Sequence, residues 1–149
     1  VLHYLEVLRD VVGFENLKAK VVKPLQGRNI GAYYGCLLLR PGQVMSFDDV
    51  ERPEILENFI KAIGATPVIY DMRNECCAGY MAVTDKNLCK EMVSEIQDNA
   101  ADAGAGEFIT ACPLCAYNLL ENAGATKLPV SYFTEVLAEA LGLNEGGSD

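Results

Sequence analysis

Cys112 and Cys115 stand in "EFITACPLCAYNLL", Glu107 to Leu120, where a β-branched, aromatic run passes into a helix-like pattern. With Pro113 opening a helix, both sulfurs face its first turn, where unpaired backbone N–H groups and the helix dipole favour an anion. Thiolates in that setting are redox nucleophiles or metal ligands. The adjacent pair Cys76-Cys77 narrows the choice. Neighbouring side chains diverge, and a four-cysteine zinc site usually draws on CxxC-type spacings, so two adjacent cysteines rarely both ligate one zinc ion. A multi-iron cluster can take both, because its irons are spread over several ångströms. Ionising one thiol with a pKa near 8.5 at pH 7 costs about 2 kcal/mol, so ionising all of Cys36, Cys76, Cys77, Cys112 and Cys115 costs roughly 10 kcal/mol. That rivals a whole domain's stability of roughly 5 to 15 kcal/mol. Bound metal must supply the difference, and the metal-free site is expected to be protonated and loose or oxidised to disulfides.

The elements that position these residues alternate in type. An apolar pattern of Leu2, Leu5, Leu8 and Val12 reads as a helix ending near Gly13, inside a connector that runs to residue 28. "NIGAYYG" (Asn29 to Gly35) reads as a strand that stops at Cys36. A helix from Pro53 carries Leu56, Phe59, Ile60 and Ile63 on one face, with Gly64 as its stop. Thr66 to Asp71 is a short strand, and Asp85 to Ala103 a helix capped by Thr84 or Asp85. "EFITA" is the third strand, followed by the helix after CPLC. "LPVSYF" is the fourth, after which Thr134 caps "EVLAEALGL" ahead of an acidic, glycine-rich, flexible tail at 144–149. Strands alternating with crossover helices predict an α/β domain over 1–149 with a parallel sheet covered on both faces, a Rossmann-like three-layer arrangement. Such sheets place their sites beyond the carboxyl ends of the strands, where Cys36, Cys76-Cys77 and Cys112 converge. Cys89 falls on an apolar helix stripe beside Met92 and Val93 and reads as a small buried hydrophobe.

The cysteines also carry a resemblance. Cys36 and Cys76 are separated by 39 residues, and Gly79 and Cys112 by 32. This layout, with "YYGCLLLRP" at Tyr33 to Pro41, "ECCAGYMAVT" at Glu75 to Thr84 and "TACPLCAYNL" at Thr110 to Leu119, resembles the cysteine-rich CCG domain. That domain occurs twice in the B subunit of heterodisulfide reductase and also in iron–sulfur subunits of glycolate and lactate oxidation systems. The similarity is to the second, carboxy-terminal CCG domain of the heterodisulfide reductase protein, over nearly the whole chain. It implies a noncubane [4Fe-4S] cluster held by Cys36, Cys76, Cys77, Cys112 and Cys115, which thereby become the catalytic residues. It also implies reduction of a disulfide of the coenzyme M–coenzyme B type met in methanogenesis, with electrons from partner iron–sulfur or flavin subunits. The missing amino-terminal CCG half is the other expected partner, without which the fragment is expected to be inactive. One departure is visible: the family's CC-Gly is Cys76-Cys77-Ala78 here, with the glycine displaced to Gly79.

Other readings stay open. Zinc, or no metal, is an alternative occupant in aerobically prepared protein. A non-substrate-binding electron-transfer or structural module holding zinc or iron–sulfur is the alternative function. A thioredoxin-like dithiol would use CPLC but leave Cys36 and the Cys76-Cys77 pair without a role.

Composition excludes more than it identifies. Half of the 149 residues are hydrophobic and the net charge is −9, which gives one respectable core and nothing to neutralise a run of phosphates, so nucleic acid is no partner. Lys18, Lys20, Lys23 and Arg28 read as a solvated face or a patch for a protein partner. No apolar run is long enough for a membrane span and no signal peptide is evident, so the chain reads as cytoplasmic, where six cysteines are not a disulfide framework. The chain starts at Val1 inside an apolar pattern, as a fragment of something longer would. His3, the only histidine, reads as structural or surface. There is no glycine-rich phosphate loop and no Ser/His/Asp set. Acid–base groups are limited to Lys86, Tyr33, Tyr34 and Tyr80, the tyrosines being first of all packing residues.

Overall fold

The structure is a computed structural model and describes residues 1–143, so the tail expected to be flexible, 144–149, lies outside the described residues. The first helix opens as α1 (Tyr4–Glu6) and continues as a π-helical segment over Val7–Val12, burying Leu5 and Leu8. The basic segment after it is not simply a connector. There α2 (Phe14–Lys20) buries Leu17 and carries Lys18 and Lys20. Arg28 leaves the basic face, forking onto Glu107 at 2.6 and 2.9 Å and onto Glu139 at 2.8 Å. It therefore ties the start of the sheet to the last helix.

Beyond it run β1 (Asn29–Tyr33), α3 (Gly42–Met45), α4 (Ile55–Ala62), β2 (Thr66–Val68), α5 (Lys86–Asp102), β3 (Glu107–Thr110), α6 (Pro113–Glu121), β4 (Val130–Tyr132) and α7 (Phe133–Ala140). The four strands form one sheet in the order β2-β1-β3-β4, every pair parallel. Alternation along the strands divides the core. Ile30, Ala32, Tyr34 and Ile109 face Phe59 of α4 and Phe133 of α7. Tyr33 and Phe108 face Val93 and Ile96 of α5 and Leu119 of α6. The expected α/β sheet covered on both faces is thus present, each large buried apolar side chain contributing about 1.5–3 kcal/mol.

Two helix starts differ from expectation. The helix expected from Pro53 begins at Ile55, because the Asp48 carboxylate accepts the amides of Glu54 and Ile55, both at 2.7 Å. Thr134 does not cap the last helix. The chain turns helical at Phe133, whose ring is buried, and Tyr132 is the cap residue, its amide donating to the Glu135 carboxylate at 2.6 Å. Asp85 does cap α5, accepting the Leu88 amide at 3.0 Å.

Strand order locates the site. From β1 the chain moves outward to β2, whereas from β3 it moves outward on the other side to β4. The connections part between the carboxyl ends of β1 and β3, the topological switch point at which open α/β sheets leave a crevice.

Candidate metal centre

Three loops fill that crevice with sulfur. Cys36 follows β1 in a turn whose carbonyl accepts from the Arg40 amide at 3.0 Å. Cys76 and Cys77 sit between 3₁₀ turns at Asp71–Asn74 and Gly79–Met81. That loop is tethered to β1, since the Tyr34 amide donates to the Arg73 carbonyl at 2.8 Å and the Tyr33 hydroxyl to the Glu75 carbonyl at 2.6 Å. Cys112 is the N-cap residue of α6, and Cys115 lies in its first turn.

All five cysteines line one cavity of about 70 Å³. The Cys36 and Cys76 sulfurs are 3.7 Å apart, and those of Cys77 and Cys115 are 3.6 Å apart. The adjacent pair therefore diverges, each member meeting a sulfur from a different strand end. Among the described residues no group of three or more His, Cys, Asp or Glu closes around a single metal ion. Leu37, Tyr80 and Leu114 form an exposed apolar lip. A roomier hollow of about 260 Å³ between α2 and α4 contains no thiol, so size does not locate the chemistry.

Cys89 stands apart, fully buried on α5, with its thiol 3.3 Å from Asn118 Oδ1. The tyrosines beside the cysteines are occupied: Tyr34 donates its hydroxyl to Glu57, and burial pushes the pKa of Tyr33 and Tyr34 far up. Neither is a ready acid. Lys86 and Tyr80 are exposed, and His3 is structural, accepting the Leu5 amide on Nδ1 at 3.1 Å and packing on Phe47 and Phe133.

The two thiols at the start of α6 behave differently. Cys112 is lowered to about 6, first by the Cys115 thiol and then by the Cys115 and Leu114 amides of the helix start. Cys115, lying against the Cys112 and Cys77 sulfurs and buried, is pushed up. Cys77 is lowered to about 6, chiefly by Cys115, while burial raises Cys76 to about 11. The amides of the helix start thus act on the Cys112 sulfur.

Sequence reasoning missed what four supporting residues do. Gly35 has φ of +66°, and a Cβ there would come within 2.9 Å of the Cys115 sulfur. Its position directly before Cys36 was the available signal. Ala78 is left-handed at φ 56°, in the place where the resemblance expects glycine. Gly79 is needed for closeness instead, as its Cβ would meet Leu114 at 3.1 Å. Asn118 donates to the Cys77 carbonyl, and no local pattern marks it.

The cysteine-rich domain model named CCG matches residues 30–120, the segment that holds all five cavity cysteines. The chain belongs to the CCG family. This CCG chain is 32% identical over 137 residues to the membrane anchor subunit of the 8-methylmenaquinol:fumarate reductase of Wolinella succinogenes, covering 87% of the chain and 48% of that protein. It is 28% identical to the B subunit of the ferredoxin:CoB-CoM heterodisulfide reductase of Methanosarcina mazei, covering 95% of the chain and 50% of that protein. The B subunit of the ferredoxin/F(420)H(2)-dependent CoB-CoM heterodisulfide reductase of Methanosarcina acetivorans is 26% identical, with 97% and 51% covered. The CCG chain spans about half the length of these curated relatives, all of them subunits of oxidoreductases. No helix among its described residues is long and apolar enough to cross a membrane.

Proposed function

We propose that this CCG domain holds a noncubane [4Fe-4S] cluster on Cys36, Cys76, Cys77, Cys112 and Cys115 and is the disulfide-reducing half of a protein like the B subunit of heterodisulfide reductase. The observation that carries this reading is the gathering of all five thiols on one cavity at the switch point. An all-sulfur donor set suits zinc, copper(I) or iron–sulfur, and the divergence of Cys76 and Cys77 suits irons spread over several ångströms better than one ion.

When bound, the cluster would supply the electrons that a disulfide accepts, delivered by partner iron–sulfur or flavin subunits. The chain's own part is to position and shield. The α6 amides at Cys112 stabilise negative charge on that sulfur. Leu37, Tyr80 and Leu114 offer an apolar lip to a substrate arm and keep water from the sulfurs. Two electrons and two protons convert one disulfide to two thiols, and with Tyr33 and Tyr34 occupied the protons come from water or substrate.

The membrane-anchor relative favours a second reading, because its name carries no disulfide. On that reading the domain passes electrons and binds no substrate. Protein made without oxygen separates the possibilities. Iron and acid-labile sulfide at about four each per chain are expected, with a spectroscopic change on adding a mixed disulfide. Iron and sulfide without that change indicates the electron-transfer module, and about one zinc without sulfide rejects the cluster.

A further inference from the structure

We propose that Asn118, backed by the Cys89 thiol, is a positioning clamp for Cys77, holding in place the strained backbone on which that sulfur stands. The inference rests on the reading of the five cysteines as a metal site.

Ala78 is fully buried with φ 56° and ψ 25°. The left-handed region is disfavoured for an L-residue, and such a conformation persists only where its surroundings over-determine it. The surroundings here are specific. The Cys77 carbonyl, in the peptide leading into Ala78, accepts from Asn118 Nδ2, and the Cys89 sulfur approaches the same oxygen at 4.0 Å. On the other side the Ala78 amide donates to the Cys76 sulfur at 3.3 Å. Asn118 cannot turn over: its Oδ1 accepts from Asn122 Nδ2 at 2.6 Å and from the Cys89 thiol at 3.3 Å, and a flipped amide would set donors against donors. Asn118 also lies on α6, the helix that carries Cys115. One rigid element thus presents one sulfur and fixes the loop carrying its neighbour, while α5 supplies Cys89 as the back support. Cys89 is therefore no metal ligand, yet it is more than a filler of space.

A merely structural asparagine and a clamp differ in their dependence on Ala78. Glycine adopts the left-handed conformation without that penalty, so Ala78→Gly should relieve the need for the clamp. The test uses the 149-residue chain reconstituted with ferrous iron and sulfide and then challenged with a chelator. Removing a group that orients a metal ligand typically weakens metal affinity 10- to 100-fold, so Asn118→Ala is expected to yield its iron at correspondingly lower chelator concentration. The double variant with Ala78→Gly should recover most of that loss. In the metal-free chain, Asn118→Ala should speed amide exchange at Ala78 and Gly79. Iron retention within about twofold of the parent chain, or a loss that Ala78→Gly leaves untouched, overturns the clamp. If Asn118→Ala does not fold by circular dichroism, Cys89→Ala is read in the same way, with a few-fold loss expected and the same recovery. A parent chain that takes up no iron or sulfide overturns the metal reading, and metal-free amide exchange alone then decides the clamp, unchanged exchange overturning it.

Discussion

At Gly35 the left-handed φ and the 2.9 Å approach to the Cys115 sulfur act together, because the chain must turn sharply between Tyr34 and Cys36 while another sulfur occupies the inside of the turn. Alanine there carries the left-handed cost of about 1–2 kcal/mol together with an overpacking cost of about 1–3 kcal/mol. Gly104 is the internal comparison, with φ of +98° but nothing within 4 Å of its Cβ. Urea unfolding of the metal-free chain is expected to show Gly35→Ala destabilised by about 2–5 kcal/mol and Gly104→Ala by only the conformational part, about 1–2 kcal/mol. Equal losses would mean that the sulfur contact is relaxed cheaply. The cysteines themselves separate by the same logic. Alanine in place of Cys36, Cys76, Cys77, Cys112 or Cys115 should abolish most iron retention after reconstitution, whereas Cys89→Ala should cost only a few-fold. Loss of the cluster in Cys89→Ala with retention in Cys36→Ala would reverse the assignment.

Among the elements, α4 is linked to the cysteine loop through one buried acid. Glu57 accepts from the Tyr34 hydroxyl, and its Oε1 lies 3.2 Å from Arg73 Nε without the alignment of a hydrogen bond. Burial raises its pKa, against the Tyr34 hydrogen bond and Arg73, with Asp48 adding to the rise. A carboxyl raised in the folded state binds its proton more tightly there than when unfolded. Its contribution is therefore full below the unfolded value of about 4.3 and is lost as pH climbs through the folded value. Glu57→Gln has no such proton to lose, so the stability of the parent chain relative to this variant should fall as the pH rises above the unfolded value of about 4.3 in denaturant titrations. The opposite slope would show that Arg73 outweighs burial.

Elements were also the scale at which sequence was most readable. The apolar faces of α4 and α5 and the Cys-Pro start of α6 are local signals, and the structure places each within a few residues of its expected bounds. Distant partners account for the differences. β2 ends at Val68 rather than Asp71, because a 3₁₀ turn begins at Asp71 and its Arg73 carbonyl is claimed by the Tyr34 amide. Arg28 looked like one of a basic group, and only the fold supplies Glu107 and Glu139. The convergence of the thiols followed from their places at the carboxyl ends of strands in a parallel sheet, whereas the left-handed backbone of Ala78 and its support by Asn118 could be seen only in three dimensions.

For the molecule as a whole, the ratio of lengths bears on activity. The curated relatives are about twice as long as the aligned part of this chain. One cavity with five thiols offers one place to capture sulfur, whereas reductive cleavage of a disulfide leaves two sulfurs, each acquiring an electron and a proton. A single site that captures one leaves the other to recombine or diffuse, so binding should be weak and turnover negligible. On the proposed reading a second CCG half would take the other sulfur, and the exposed Leu37, Tyr80 and Leu114 at the cavity mouth are the apolar surface it would cover. We therefore expect the 149-residue chain to take up iron and sulfide yet reduce a mixed coenzyme M–coenzyme B disulfide at least about 100-fold more slowly than a protein carrying both halves. The comparison needs a strong artificial electron donor, so that partner subunits do not limit either sample. Addition of the missing half in trans should restore part of the rate, and comparable turnover by the isolated chain would show that one cavity suffices for both sulfurs.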